Sequence, residues 1–427
     1  MPAHDTDAYI ADFAAFIQAS PTSYHAAAEV ARRLEEAGFE GLDEADEWPA
    51  TPGRRVVVRD GAVIAWVQPA DAGVATPFRI LGAHTDSPSF KLKPNPTTNS
   101  EGLLQAGVEV YGGPLLNSWL DRELRLAGRL VTTDGATHLV ATGPLLRIPQ
   151  LAVHLDRGVN TDGLTLDKQR HVQPIWGVEG GPEPADVVAH LAGLASVDPD
   201  EVAGYDVHVA DAAAPARFGR GDVLLASGRM DNLTSVHAGL TALLAASADA
   251  GHVSVLAAFD HEELGSESRS GASGPFLDDV LTRIGAGLGA GVEERRRAFA
   301  ASWHVSSDAG HAVHPNYPER HDPVNRPVLG GGPLLKLNAN QRYATDAAGS
   351  ARWAAACRAA DVPTQPFVSN NTVPCGTTIG PLTATRLGIR TVDVGPPLLS
   401  MHSARELAHV DDLHALGAAV AAFFDGA

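Results

Sequence analysis

The stretch FRILGAHTD, residues 78–86, is the part of the sequence that decides the fold class. Its first six residues form a largely apolar run, which stops abruptly at His84. A strand that is apolar on both faces is typical of the centre of a sheet that helices cover on both sides. Polar residues directly after such a strand lie at the carboxyl edge of the sheet, where open α/β sheets bind ligands. The stretch therefore predicts an α/β fold with a functional site that includes His84 and Asp86.

The same α/β pattern occurs on both sides of this stretch. Two helical patterns precede it between Asp7 and Gly38, and strand-like runs follow at 253–259, 303–306 and 390–394, with helices between them. From about Pro94 to Gly228 the helical periods mostly disappear, and short alternating strands are separated by Gly, Pro and Asp-Gly turns. We expect a discontinuous catalytic domain, residues 1–93 and 229–427, interrupted by an inserted β-rich domain, residues 94–228.

Composition and charge exclude several classes of protein. The chain has 427 residues and a formal net charge of −19, which argues against binding to nucleic acid or to an anionic membrane. Apolar runs are too short for a membrane span, and two cysteines are too few for a disulfide framework. The first residues, Met1–Asp5, lack the features of a signal peptide. We therefore expect a cytoplasmic globular protein.

Five short polar segments share one property, because each falls where a predicted strand gives way to a loop or helix. Side chains that are far apart in the sequence can therefore meet at the carboxyl edge of one sheet. The segments are His84-Thr85-Asp86, Met230-Asp231-Asn232, Asp260-His261-Glu262-Glu263, Ser307-Asp308-Ala309-Gly310-His311 and Met401-His402-Ser403.

The residue types in these segments are those of a hydrolase with two metal ions. Two zinc-like ions about 3.5–4 Å apart need a shared carboxylate, and each needs a histidine and a further carboxylate. The sequence supplies this set, with Asp231 as the bridge. His84 and Asp308 would bind one ion, and Glu263 and His402 would bind the other.

The remaining acidic residues of these segments have other expected roles. Asp86 is placed like a carboxylate that fixes the tautomer of His84, although it could also cap a turn. Glu262 and Glu263 are adjacent and cannot serve the same role, so one can bind metal while the other accepts a proton from water. Ser403 with Glu406 fits an ordinary helix capping box. Each residue alone is weak evidence, whereas five such segments in one order are improbable by accident.

These segments resemble the M18 family of metallopeptidases, the aspartyl aminopeptidase family. The similarity extends from about residue 8 to 424. Besides the five segments with their flanking residues, it includes Lys336-Leu337-Asn338, Gln341-Arg342-Tyr343-Ala344-Thr345 and Gly376-Thr377-Thr378-Ile379-Gly380-Pro381.

The resemblance implies a zinc-exopeptidase-type, three-layer α/β catalytic domain with an inserted domain used for dimerisation. Homodimers would assemble into a dodecamer. It also implies that Glu262 is the general base and Glu263 the ligand, and that His154 is delivered to the active site of the neighbouring subunit. On family grounds Lys336, with Arg342 as second choice, is the cation that would bind an acidic substrate residue.

The expected reaction is removal of one N-terminal residue from a peptide, with a preference for Asp or Glu, by an enzyme that contains two divalent ions, zinc in the first instance. Cobalt and manganese remain open as the native metal. Alternatives are an aminopeptidase for neutral residues, a related di-metal deacylase or carboxypeptidase, or a catalytically silent assembly protein. The last requires lost ligands, and the predicted set is intact.

Overall fold

The computed structural model describes residues 6–180 and 185–427. Met1–Asp5, on which the expectation about a signal peptide partly depends, lies outside these ranges. No helix within these ranges is both long and apolar enough to cross a bilayer. The α-helices in them are α1 (Thr6–Ala19), α2 (Ser23–Glu36), α3 (Val187–Ala195), α4 (Met230–Ala245), α5 (Phe276–Gly287), α6 (Val292–Ala301), α7 (Ala347–Ala359), α8 (Ile379–Leu387) and α9 (Val410–Phe424).

A nine-stranded mixed sheet forms the centre of the larger part of the chain. With strands numbered in chain order, its spatial order is β1 (Glu40–Leu42), β2 (Gly53–Arg59), β3 (Ala62–Gln68), β13 (Val253–Phe259), β4 (Phe78–His84), β14 (Trp303–Ser307), β18 (Arg390–Gly395), β16 (Leu334–Leu337) and β17 (Gln365–Val368). The four strands β13, β4, β14 and β18 are mutually parallel neighbours. The α/β prediction from residues 78–86 is confirmed.

Helices cover both faces of this sheet, which explains why its central strands are apolar throughout. In β4, Leu81 packs into the core formed with α1, α2, α4, α7 and α9. Ile80, on the opposite face, packs into the core formed with α5, α6 and α8. Successive side chains of a strand point to opposite faces, so a strand between two helical layers needs apolar residues at both positions. The result is a three-layer arrangement of helix, sheet and helix.

A six-stranded antiparallel sheet forms a second body with its own core. Its spatial order is β8 (Thr137–Ala141), β7 (Leu124–Thr132), β10 (Val202–Asp211), β5 (Ser89–Ser100), β6 (Leu103–Tyr111) and β9 (Ile175–Val178). Strands β7 and β8 pair as an antiparallel hairpin, in agreement with the short alternating strands and Asp-Gly turns of this part of the sequence. The strands of this sheet start at Ser89, a few residues before the predicted boundary at 94, and β5 crosses that boundary. The division into domains stays a prediction.

A five-stranded sheet contains strands that lie next to segments of the candidate site in the sequence. Its spatial order is β11 (Ala216–Phe218), β12 (Leu224–Ser227), β20 (Glu406–His409), β19 (Pro397–Leu399) and β15 (Gly310–His311). Strand β12 leads into Met230 and Asp231, and β20 follows His402. Pairing of β12 with β20 therefore brings two site segments together from distant parts of the sequence.

Candidate active site

The carboxyl ends of three adjacent parallel strands place polar residues side by side. Strand β4 ends at His84, β14 ends one residue before Asp308, and β13 is followed by a short 3₁₀ helix, Glu262–Leu264. Because β13, β4 and β14 are hydrogen-bonded neighbours running in one direction, their last residues share one edge of the sheet. The α4 segment and the loop before β20 contribute Asp231 and His402 to the same place.

Asp231 lies at the centre of the cluster, with one histidine at each of its oxygens. Its Oδ1 lies 3.3 Å from His84 Nε2, and its Oδ2 lies 3.4 Å from His402 Nε2. The same His84 nitrogen lies 3.3 Å from Asp308 Oδ1, and the same His402 nitrogen lies 3.4 Å from Glu263 Oε2. The donor atoms form three close groups. Two of them share Asp231, namely His84, Asp231 and Asp308, and Asp231, Glu263 and His402, and the third consists of His84, Glu262 and Glu263.

Both histidines are held through the ring nitrogen that faces away from the cluster. His84 Nδ1 lies 3.1 Å from the carbonyl oxygen of Asp86, and His402 Nδ1 lies 3.0 Å from the carbonyl oxygen of Gly113. An Nδ1–H group that donates to these oxygens leaves the lone pair of Nε2 pointing into the cluster. Nε2 is the atom that faces the carboxylates in each ring.

The carboxylate of Asp86 orders the backbone of the glutamate pair as well as His84. Its Oδ1 accepts a 3.0 Å hydrogen bond from Glu262 N, and its Oδ2 accepts a 3.2 Å hydrogen bond from Glu263 N. Tyr111 Oη donates to the same Oδ2 at 2.9 Å. Asp86 Oδ1 also lies 3.3 Å from His84 Nδ1. This buried side chain therefore contacts His84 of its own segment, the backbone of the glutamate pair, and Tyr111 of the six-stranded sheet.

The electrostatics of the cluster favour positive charge at its centre. Burial first, and then neighbouring carboxylates including Asp308, raise the pKa of Glu262 to about 8. Burial would lower the pKa of His402, but the carboxylates of Asp231 and Glu263 raise it to about 10. Burial is thus the main cause at Glu262, whereas acidic neighbours are the cause at His402, and a cluster of buried acidic groups attracts cations.

The donor set suits divalent metal ions. Within the described residues Glu263 Oε1 is buried and has no hydrogen-bond partner. A strong acceptor inside the protein is therefore without a donor, which a bound cation would satisfy. Histidine nitrogen and carboxylate oxygen together are typical zinc ligands, and no thiolate is involved. The residues in the two groups that share Asp231 are the ones that the sequence analysis assigns to two ions.

A cleft with a volume of about 470 Å³ opens beside the cluster. Lys336 lines it and is only 1% exposed. Its Nζ donates to the carbonyl oxygen of Ala309 at 2.7 Å and lies 3.3 Å from Asp308 Oδ2. Arg320 also lines the cleft, and its side chain is 72% exposed. Cationic groups therefore occur at the inner end and on the rim of the cleft.

Three further residues that the sequence singled out lie elsewhere. The exposed side chain of Arg342 is not among the described residues that line the cleft. His154 is exposed on an irregular segment of the second body, next to Leu155, which is 75% exposed. His261 Nδ1 lies 2.8 Å from Ser268 Oγ, so this ring forms a hydrogen bond with the loop that follows the glutamate pair.

The side chains of Glu406 and Tyr111 also contact the site, although the sequence pattern assigns them no role there. Glu406 is not part of a helix capping box, because residues 406–409 form strand β20. Its carboxylate accepts hydrogen bonds from Asp231 N and His402 N. Tyr111 comes from the six-stranded sheet, and no local motif marks it. For Glu406 the only sequence signal was an acidic residue four positions after a predicted ligand.

Comparison with known proteins gives a consistent result along the whole chain. The sequence model of the family described as "Aminopeptidase I zinc metalloprotease (M18)" matches residues 16–424. A protein of Streptomyces avermitilis named "Probable M18 family aminopeptidase 2" is 56% identical over 419 residues, which are 97% of each chain.

Two solved structures are also similar. One, titled as the complex of Ape4 and Nbr1, has a TM-score of 0.94 and 34% identity over 100% of this chain and 88% of its own. The other, titled as the Saccharomyces mApe1 dodecamer, has a TM-score of 0.86 and 27% identity over 99% of this chain and 98% of its own.

Proposed function

The chain belongs to the M18 family of zinc metalloproteases and is a metalloaminopeptidase, and from this premise we propose that it removes single N-terminal residues from peptides at a centre of two zinc ions. The observation that supports this most directly is the position of Asp231, whose two oxygens face different histidines. A carboxylate in that position can bridge two ions. His84 and Asp308 would complete one site, and Glu263 and His402 the other.

We propose Glu262 as the general base and Glu263 as the ligand. The Glu263 side chain is 4% exposed and its Oε2 lies beside His402, whereas the Glu262 side chain is 16% exposed. When bound, zinc supplies Lewis-acid polarisation of the scissile carbonyl and makes water more acidic. Glu262 would accept the proton of the attacking water and later donate it to the leaving amine.

We propose that the substrate's N-terminal residue is acidic. The chain carries a formal net charge of −19, so an acidic substrate needs a local cation. Lys336 is that cation in this proposal. Its ammonium group has three N–H donors, and the contacts with Ala309 and Asp308 account for two of them. In this proposal the third binds a substrate carboxylate, beside the ring of Tyr343, whose centroid lies 5.4 Å from Nζ.

The contact between Lys336 and Asp308 supports a second candidate, an aminopeptidase for neutral residues. Asp308 already compensates part of the ammonium charge at 3.3 Å. In that case the cleft would accept an uncharged side chain, and Lys336 would serve chiefly to orient Asp308.

We also propose that the protein is a homo-oligomer built from dimers. Leu151, Val153 and Leu155 are 57%, 50% and 75% exposed in one short segment, which is unusual for a solvent-facing loop. A relative of the same family is described as a dodecamer, which makes this the expected size. His154, in the same segment, would then lie near the partner's active site.

The test is activity of the zinc-reconstituted enzyme on aminoacyl substrates with Asp, Glu, Leu, Ala and Arg, each with a free and with an acetylated N-terminus. We expect hydrolysis of the free forms, with the highest kcat/KM for Asp or Glu. Highest activity on Leu or Ala would favour the second candidate. Cleavage of acetylated substrates, or release of residues from the C-terminus, would contradict aminopeptidase activity.

A further inference from the structure

Glu406 contacts two predicted metal ligands without being a ligand itself. Its Oε2 accepts a 3.0 Å hydrogen bond from Asp231 N, and its Oε1 accepts a 3.0 Å hydrogen bond from His402 N. The residue is 2% exposed, so water does not compete for either oxygen. One carboxylate thus holds the backbone of the shared aspartate and of a histidine at the second ion.

The fold fixes Glu406 at this point. It is the first residue of β20 and pairs in register with Ser227, the last residue of β12. Asp231 follows Ser227 after a short connection in which Arg229 has a left-handed backbone, with φ of 61°. His402 itself has φ of 65°, a conformation that non-glycine residues adopt only when their surroundings hold them there. The Glu406 hydrogen bond to its N–H is one such restraint.

We propose that Glu406 is a positioning residue of the metal centre, which sets the distance between Asp231 and His402 and thereby the affinity for zinc. This inference rests on the proposed two-zinc function. Groups that orient metal ligands typically change metal affinity by about 10–100-fold when they are removed. Because both oxygens of Glu406 are used, a side chain with only one acceptor oxygen cannot replace it.

The chain contains a matched control in Asp412. This carboxylate is also buried and also accepts two backbone hydrogen bonds, from Gly330 N at 2.8 Å and from Gly332 N at 2.7 Å. Neither glycine belongs to the donor groups of the cluster. Asp412→Asn therefore repeats the chemistry of Glu406→Gln, the loss of one acceptor and one charge, at a place that does not hold metal ligands.

The experiment measures zinc affinity of the full-length apo-enzyme by competition with a chromophoric chelator, together with the absorption spectrum of the cobalt-substituted protein. Glu406→Gln should weaken binding of at least one ion by about 10–100-fold and change the cobalt spectrum. Asp412→Asn should leave both unchanged even if it lowers the melting temperature. Glu406→Asp keeps the charge but is one methylene shorter, so it should also weaken zinc binding.

Each remaining outcome has a defined meaning. Wild-type zinc affinity in Glu406→Gln would overturn the proposal. Wild-type affinity in Glu406→Asp alone would also overturn it, because the negative charge and not the length of the side chain would then be what zinc binding requires. Failure of both variants to fold would assign Glu406 to the stability of the fold and would also overturn it. If the wild-type protein itself does not bind two zinc ions, the proposed metal centre fails, which is a different result.

Discussion

The phenol of Tyr111 donates a 2.9 Å hydrogen bond to Asp86 Oδ2. Tyr111 is the last residue of β6 in the six-stranded sheet, whereas Asp86 follows β4 of the nine-stranded sheet. The same Asp86 carboxylate accepts the backbone N–H groups of Glu262 and Glu263. The second body of the protein is therefore linked by hydrogen bonds to the loop that carries the proposed base. The link consists of the Tyr111 hydroxyl group and the Asp86 carboxylate.

Tyr111→Phe should reduce both stability and turnover by modest amounts. The lost hydrogen bond is worth about 1 kcal/mol of unfolding free energy, and a looser Asp86 should lower kcat by up to about tenfold. Tyr205→Phe is the control, since its hydroxyl donates to Lys93 O and Pro94 O within the six-stranded sheet. It should affect the denaturation midpoint without changing kcat. Equal kcat in both variants would mean that Asp86 does not depend on Tyr111.

The two adjacent glutamates should respond differently to the same substitution. Glu262→Gln should keep zinc bound while kcat falls by roughly 10²–10⁴, because a positioned proton acceptor is lost. Glu263→Gln should lower zinc affinity, because a ligand loses its charge. Zinc content by elemental analysis and steady-state kinetics distinguish the two effects. Loss of zinc in Glu262→Gln but not in Glu263→Gln would reverse the roles proposed here.

Removal of the metal and reconstitution with zinc should show that each chain binds two ions. A strong chelator should abolish activity, and added zinc should restore it at a ratio approaching two. Asp231→Asn should weaken both ions because the side chain is shared, whereas His402→Ala should weaken mainly the ion that Glu263 also holds. Titration calorimetry on the apo-proteins measures this. Saturation of the wild-type protein at one ion would rule out the shared site.

Much of the site could be predicted because its residues lie directly after recognisable strands. The run before His84 and the run before Asp260 are apolar on both faces, and the rule for carboxyl edges of parallel strands then places their polar neighbours together. The spatial order of β13, β4 and β14 could not be predicted in this way. Strand order depends on long-range pairing, which a local pattern does not record.

Glu406 shows where local reasoning fails. Serine followed three residues later by glutamate is a common helix start, so the sequence around Ser403 favoured a capping box. The structure has a strand at Glu406–His409, because pairing with β12 outweighs the local preference. The position of Arg342 is a similar case. Arg342 is the second choice for the cation that binds an acidic substrate residue; of the two candidates, Lys336 is among the described residues that line the cleft and Arg342 is not.

Lys336 should determine the preference for acidic substrates. Lys336→Met removes the buried cation, so kcat/KM for Glu substrates should fall by about tenfold or more relative to Leu substrates. The ratio of the two kcat/KM values is the measured quantity, because general damage to the site affects both substrates. Arg358→Met, on the exposed face of α7, is the control and should not change the ratio. A changed ratio in Arg342→Met but not in Lys336→Met would identify Arg342 as the cation.

His154 should act in the active site of the neighbouring subunit. It lies on an exposed segment with apolar neighbours, as expected for a stretch that leaves its own domain. His154→Ala should therefore lower kcat with zinc still bound. Each proposed site combines Glu262 of one chain with the partner's histidine, so chains with His154→Ala and chains with Glu262→Gln should complement each other. In a random mixture of dimers up to about a quarter of all sites would be intact, and in dimers that contain one chain of each variant about half would be.

Co-expression of the two variants with different affinity tags, followed by tandem purification, yields the mixed assemblies for this measurement. The control pairs Glu262→Gln with Asp308→Asn. Both residues lie in the cluster of a single chain, so every site in that mixture keeps one defect and no activity should return. Recovery with His154→Ala and none with Asp308→Asn would assign His154 to the partner's site. A fully active monomer in analytical ultracentrifugation would contradict the shared site, because His154 would then have no neighbouring subunit in which to act.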